Sequence, residues 1–189
     1  MIENEFKIML TADQYEQIHG MFSGWDKELE QVNYYYDTPE LEMSERHITV
    51  RVRKLSGRFY LQMKLPAQAA GNGAVSRIEL EKELPGLPEL ISGGDLCELS
   101  GEELPDVSLL GELSTRRSVK LFDGAEIDLD KSEYFGRKDY ELEVEYTRES
   151  TAQEILDMIR SRVTLDMIAP STGKIRRFLA EYLLNCEER

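Results

Sequence analysis

Glu141-Leu142-Glu143-Val144-Glu145-Tyr146 alternates between charge and hydrocarbon residue by residue. A period of two sends successive side chains to opposite faces of a strand, so three carboxylates share one face while Leu142, Val144 and Tyr146 share the other. The same pattern recurs along the chain. Glu3, Glu5 and Lys7 oppose Ile2, Phe6 and Ile8, and Arg51 and Arg53 oppose Ile48, Val50 and Val52. Tyr60, Gln62 and Lys64 oppose Phe59, Leu61 and Met63; Arg77, Glu79 and Glu81 oppose Ile78 and Leu80; Asp128 and Asp130 oppose Ile127 and Leu129.

Outward from these stretches, the pattern predicts eight strands, at about 2–9, 29–37, 47–54, 58–65, 75–84, 112–122, 125–131 and 139–147. Ser56-Gly57 and Asp123-Gly124 supply hairpin turns. Pro66 to Ala74 reads as a Gly-rich loop, and Tyr134 to Lys138 as a second loop. Thr11 caps a helix to about Phe22. One or two short helices broken at Gly93-Gly94 fill the interval from Pro85 to Asp106. A helix capped by Ser150 or Thr151 runs to about Val163, and a last one covers about 172–186. The fold class is α+β, with one domain over residues 1–189.

The chain has 189 residues, of which 41% are hydrophobic and 32% charged, with a formal net charge of −14. That composition is globular. The negative balance argues against nucleic acid and against anionic membrane as partners, and no apolar run is long enough to span a bilayer. Cys97 and Cys186 lack CxxC spacing, which suits two thiols in a reducing compartment. The expected location is the cytoplasm.

A charged sheet face ordinarily looks at water. Two features point elsewhere. The acids come in i, i+2 pairs on separate strands, and side chains so spaced sit about 6.5–7 Å apart on one face. They repel unless a cation lies between them, and oxygen-only ligands suit Mg²⁺ or Mn²⁺. The strand cations include Arg51-x-Arg53, Arg77 and Arg116, and a planar guanidinium binds two phosphate oxygens at once. Together these groups describe a polyphosphate clamp.

In order along the chain, the residues resemble the CYTH, or triphosphate tunnel metalloenzyme, superfamily. The resemblance rests on Glu3-Asn4-Glu5-Phe6-Lys7, Gln31 to Thr38, Arg51-Val52-Arg53 and Lys64 before Leu65-Pro66. It continues through Arg77-x-Glu79-x-Glu81, Ile127-Asp128-Leu129-Asp130, Glu141 to Glu145, and Lys174 after Ser171-Thr172-Gly173. It implies an eight-stranded antiparallel barrel with a charged interior and helices packed outside. By position it implies that Lys7, Arg51, Arg53, Lys64, Arg77 and Lys174 bind triphosphate, joined by Arg116 or Arg117. Arg116 is preferred, because Ser118 and Lys120 share its face while Val119 and Leu121 share that of Arg117. Glu3, Glu5, Asp128, Glu141 and Glu143 are expected to hold Mg²⁺ or Mn²⁺, with Glu79 and Glu81 as candidate general bases and Glu145 extending the acidic row.

The implied activity is metal-dependent hydrolysis of a triphosphate, inorganic or short polyphosphate first. The alternatives within the family are class IV adenylate cyclase and thiamine triphosphatase, and a non-catalytic polyphosphate-binding module is a further one. The partner is a small-molecule triphosphate. His19 and His47 are read as structural, and the oligomeric state is not legible.

Overall fold

The computed structural model describes residues 4–66, 77–165 and 173–187; of Arg77 and Glu187 it describes the backbone alone. The chain opens with β1 (Asn4–Leu10), α1 (Ala12–Met21), β2 (Lys27–Asp37), α2 (Glu42–Glu45) and β3 (Thr49–Leu55). Next come β4 (Arg58–Pro66), β5 (Arg77–Leu84), β6 (Leu90–Ile91) and α3 (Gly93–Ser100). The remainder is β7 (Val107–Phe122), β8 (Ala125–Tyr134), β9 (Arg137–Tyr146), α4 (Glu149–Arg160) and α5 (Lys174–Glu187).

Two compact units are built from these elements: Met1–Glu30 with Ser114–Arg177, and Gln31–Leu113 with Phe178–Arg189. The boundaries fall inside β2, β7 and α5, so these elements run from one unit into the other. In the first unit the strands pair antiparallel in the order β1-β9-β8-β7. In the second the order is β2-β3-β4-β5, also antiparallel, with β6 on the start of β7. The α+β class with antiparallel strands is as expected, with the two-residue β6 and the four-residue α2 added.

Each unit buries the hydrocarbon face that the alternation marks. Ile8, Ile127, Leu129, Leu142 and Val144 pack with Tyr15 and Ile18 of α1 and with Ile155, Leu156 and Ile159 of α4. Val50, Val52, Leu61, Met63 and Leu65 pack with Met43 of α2 and Leu96 of α3. Burying each such side chain contributes about 1.5–3 kcal/mol, and the helices attach because they supply the apolar lid. The charged faces are thereby turned to the other side of each sheet.

The local signals held where they were specific. Thr11 closes a capping box, its backbone N–H donating to Gln14 Oε1 at 2.8 Å while its hydroxyl accepts from Gln14 N at 3.2 Å. Four expectations need correction. Gly93-Gly94 does not break a helix but begins one, with the Ser92 hydroxyl accepting from Asp95 N. Gly93 is required because a Cβ there would lie 2.0 Å from the Leu104 carbonyl oxygen. The loop expected at Tyr134 to Lys138 shrinks to Phe135-Gly136, both at positive φ (45° and 77°), a two-residue hairpin turn. β7 starts at Val107 rather than near 112, and α4 begins at Glu149 with Arg148 as its N-cap. The Gly-rich loop lies outside the described residues from 67 onward.

Candidate functional site

Strand register places the polar residues of the first unit in rows. Lys7, Glu143 and Asp128 lie across β1, β9 and β8; Glu141, Asp130 and Arg117 lie across β9, β8 and β7. Register partners share a face, so these rows form one charged surface. Asp128, Asp130, Glu141 and Glu143 are all buried.

Among the described residues, four cations pair with these acids and with the neighbouring Glu5 and Asp139. Arg117 pairs with Asp128, with Asp130 at 2.7 Å and with Glu143 at 3.0 Å. Lys174, the first residue of α5, puts its ammonium 2.8 Å from Asp130 and 2.6 Å from both Glu141 and Glu143. Arg177, one turn on, pairs with Asp139 at 2.8 Å and Glu141 at 3.2 Å, and Tyr134 Oη donates to Asp139 at 2.6 Å. Lys7 lies 3.0 Å from Glu5 and 3.3 Å from Glu143.

These contacts set the ionisation. Burial pushes the Glu143 carboxyl up, but Lys174, Lys7 and Arg117 together hold it well below the usual carboxylate range. Glu141 is also lowered, with Lys174 and Arg177 outweighing burial. Lys174 and Arg117 are raised, since the surrounding carboxylates outweigh burial. Asp128 goes the other way: burial, with Asp130, Glu126 and Glu145 nearby, outweighs Arg117 and pushes it up to about 7.

Among the described residues, two groups of three carboxylates have oxygens within 4.8 Å of one another: Glu5 with Glu143 and Glu145, and Asp130 with Glu141 and Glu143. Lys174 already supplies a cation to the second, and Lys7 borders Glu5 and Glu143 of the first. The first is an all-oxygen donor set that fits a hard divalent cation. Beside it on the sheet, Asp128 Oδ1 is a buried acceptor with no hydrogen-bond partner among the described residues.

The charged face of the second unit sets Arg51, Arg53 and Lys64 beside Glu79, Glu81 and Glu83. Arg51 Nε donates to Gln62 Oε1 at 2.8 Å, and Arg53 Nε donates to Asn33 Oδ1 at 3.0 Å. Lys64 pairs with Glu79, and Gln62 Nε2 donates to Glu81. Burial raises Glu79, but Lys64, Arg51 and Arg53 bring it below its ordinary value, so it is ionised.

Most of the expected residues therefore gather in two places. Glu5, Lys7, Asp128, Glu141, Glu143 and Lys174 lie on the charged face of the first unit, and Arg51, Arg53, Lys64, Glu79 and Glu81 on that of the second. Glu3 and the side chain of Arg77 lie outside the described residues. Arg116 is a correction: it is exposed, paired with Glu30 at 3.0 Å, while Arg117 joins the acids. The polarity of neighbours misled here. Val119 pairs with Asp128 and so shares the charged face, while Ser118 pairs with Leu129 on the hydrocarbon face. Asp130, placed on the charged face by its alternation, was given no role from the sequence, and Arg177 was not expected. Asp130 has a sequence signal in its i, i+2 spacing from Asp128, and Arg177 in its i, i+3 spacing from Lys174.

The family profile of the CYTH domain matches residues 1–179. The chain belongs to the CYTH family. Among curated relatives, it is 27% identical over 183 residues to "Putative triphosphatase YjbK" of Bacillus subtilis (strain 168), covering 95% of each chain. Among solved structures, it resembles a crystal structure described as a "putative adenylate cyclase" from Bacillus halodurans, with a TM-score of 0.69 and 24% identity, covering 94% of this chain and 97% of that one. It also resembles the "putative adenylyl cyclase HpAC1" of Hippeastrum, with a TM-score of 0.71 and 18% identity, covering 95% and 96%. These two likenesses show the fold. In this CYTH chain no helix among the described residues is long and apolar enough to cross a membrane.

Proposed function

We propose that this CYTH chain is a divalent-metal-dependent triphosphatase, acting on inorganic triphosphate or short polyphosphate as a single domain in the cytoplasm. The observation that carries it is the set of buried carboxylate rows beside an oxygen-only trio in the first unit, with Arg51, Arg53 and Lys64 ordered on the charged face of the second. The relative YjbK bears the name of a triphosphatase, and HpAC1 is described as revealing a dominant triphosphatase activity.

Lys7, Arg51, Arg53, Lys64 and Arg77 are assigned to the phosphate oxygens, where guanidinium and ammonium groups neutralise charge and fix the chain of phosphates in line. Arg117 and Lys174 offset the charge of the acidic rows and hold Glu141 and Glu143 ionised. Glu5, Glu143 and Glu145 would hold Mg²⁺ or Mn²⁺, with Glu3, Asp128 and Glu141 as further carboxylates. A bound divalent cation supplies charge neutralisation on the phosphate and acidifies water. Glu79, ionised beside Lys64, and Glu81, held by Gln62, are the proton acceptors. Water adds to the terminal phosphorus, the P–O–P bridge breaks, and pyrophosphate leaves as its oxygen takes up the negative charge.

The test is a substrate panel of tripolyphosphate, thiamine triphosphate and ATP, with and without Mg²⁺ or Mn²⁺. Metal-dependent phosphate release from tripolyphosphate is expected. Cyclic AMP and pyrophosphate from ATP would instead show a cyclase. Tight binding with no turnover on any substrate would sink the hydrolase reading.

A further inference from the structure

A cavity of about 350 Å³ opens on the hydrocarbon side of the second unit. Its lining includes Leu61 of β4, Leu84 of β5, and Leu87 and Leu90 beyond them, with Lys82 and Asp95 as its charged members. Leu61 alternates with Tyr60 and Gln62, so the cavity lies on the face of the sheet away from Arg51, Arg53 and Lys64. The phosphate chemistry makes no use of it. Two hydrogen bonds fix its rim: Tyr36 Oη donates to the Pro88 carbonyl oxygen at 2.6 Å, and Leu109 N donates to that of Glu89 at 3.1 Å. Pro85 and Pro88 stiffen the same loop, so a ligand meets a preformed surface.

That surface is both apolar and acidic. Leu90 is 52% exposed, and Leu87 and Leu109 are also open to solvent, a grouping that beside a concave surface marks an interaction site. The 33 residues from Glu83 to Thr115 include eight acids and no Lys, Arg or His. At the cavity Glu89 stands between Pro88 and Leu90, Asp95 lines it, and Glu98 lies about one turn further along α3. Lys82 shares the face of Leu61 and places its ammonium 2.7 Å from Glu98, which stays exposed. Three carboxylates against one ammonium leave the rim negative. Such a rim repels nucleic acid and anionic lipid. It also repels a second copy, since a symmetric pair would set the same acids against each other.

We propose that this cavity docks a basic segment of a partner protein, one bulky aliphatic or aromatic side chain entering it while flanking lysines or arginines meet Glu89, Asp95 and Glu98. The apolar anchor supplies affinity, and the charges supply selection. The cavity is at the small end of the range for ligand sites, about 300–1,000 Å³, which suits a side chain better than a cofactor. The inference stands apart from the triphosphate reading, because no residue it uses belongs to that site.

Fluorescence anisotropy with labelled synthetic hexapeptides tests it on the full chain. Each peptide carries two central leucines or phenylalanines flanked on both sides by lysine pairs. These are expected to bind with Kd below about 1 mM at about 50 mM salt, and at least about 5-fold more weakly at about 300 mM. Methyl NMR signals of Leu87, Leu90 and Ile91 should shift on binding. Versions with glutamate for lysine should not bind, nor versions with serine for the central pair. Gly86→Phe fills the cavity from a position where a Cβ meets nothing within 4 Å and φ is not left-handed, and it should weaken binding at least about 10-fold. Glu89→Lys should weaken it about 5-fold or more. Thermal unfolding monitors folding, and Glu89→Lys with Leu90→Ser, both on exposed side chains, decides the matter if Gly86→Phe fails to fold. Failure of every lysine peptide to bind overturns the inference. So does binding that these variants leave intact, or equal binding of peptides with serine in place of lysine, which would mark a site for neutral apolar molecules. Self-association of the chain in sedimentation, abolished by Leu90→Ser, would overturn it in favour of a second copy. Tripolyphosphate turnover should be the same in all these variants, so either reading can fail without the other.

Discussion

Replacing Arg117 by Met keeps the apolar stem and removes the charge, whereas the same change at Arg116 serves as its neighbour control. The Arg117 side chain is 19% exposed and faces Asp128, Asp130 and Glu143, whose side chains are 2%, 0% and 5% exposed. Breaking a buried pair costs about 3–5 kcal/mol, because the remaining charge is stranded. Three carboxylates lose a partner here, yet the cost is not tripled. Asp130 and Glu143 keep Lys174 at 2.8 and 2.6 Å, so Asp128 alone is stranded. The expected loss for Arg117→Met is therefore about 3–5 kcal/mol, a drop in the thermal midpoint of roughly 6–20 °C for a chain of this size. Arg116 is 74% exposed against an equally exposed Glu30, and an exposed pair contributes only about 0–1 kcal/mol. Scanning calorimetry of both variants, repeated at pH 5.5 and 7.5, reads the difference. Asp128 carries its proton more fully at the lower pH, so the Arg117→Met deficit should shrink there. Added Mn²⁺ should restore more stability to Arg117→Met than to the wild type. Equal, small shifts for both arginines would refute the register assignment and the reasoning built on it.

Three further changes test other parts. Glu5→Gln should reduce metal-dependent turnover by at least about 100-fold, while the urea midpoint stays within about 0.5 kcal/mol of the wild type; unchanged turnover would remove Glu5 from the metal set. The raised carboxyl of Asp128 means the folded state holds a proton between pH 3.8 and about 7 that the unfolded chain has released, so wild-type stability should fall as pH rises through that window. Asp128→Asn should flatten that slope in urea midpoints at pH 5 and 8, and parallel curves for the two proteins would contradict it. Glu143 works oppositely: its stabilisation is present above its ordinary 4.5 and is lost only as pH falls towards its depressed value. Gly93→Ala puts a Cβ 2.0 Å from the Leu104 carbonyl oxygen and should cost about 1–3 kcal/mol in thermal unfolding; a loss below about 0.5 kcal/mol would show that the start of α3 yields easily.

Alternation made the strands readable because period-two patterning is a local property: residues such as Leu142 and Glu143 declare their faces without reference to any partner. The candidate site was readable to the same extent, since Glu5, Lys7, Arg51, Arg53, Lys64 and the late acids all sit on the marked faces. What stayed hidden depends on pairing. Arg116 and Arg117 are distinguished only by which residue of β8 each meets, and a buried serine on one face with a valine on the other reversed the apparent polarity. Gly93 looked like a helix breaker because its role is to admit the Leu104 carbonyl, 11 residues away in sequence. Phe135 at positive φ hid the β8–β9 turn, since a bulky residue in that region is not a turn signal. Arg177 was missed because a helix shows its polar stripe without saying which acids it meets.

The pairing of β1 with β9 has a consequence for how this protein is made. Lys7 and Glu143 stand 136 residues apart in sequence. At a synthesis rate of about 5–20 residues per second, the first strand leaves the ribosome roughly 7–27 s before its partner exists. During that wait its edges are open, and open apolar edges invite association with other chains. Glu5 and Lys7 place a charge at every second position of the waiting strand, and α1 follows at once, ready to cover Ile8 and Leu10. The charges later assigned to chemistry thus first keep a nascent, partnerless strand in solution.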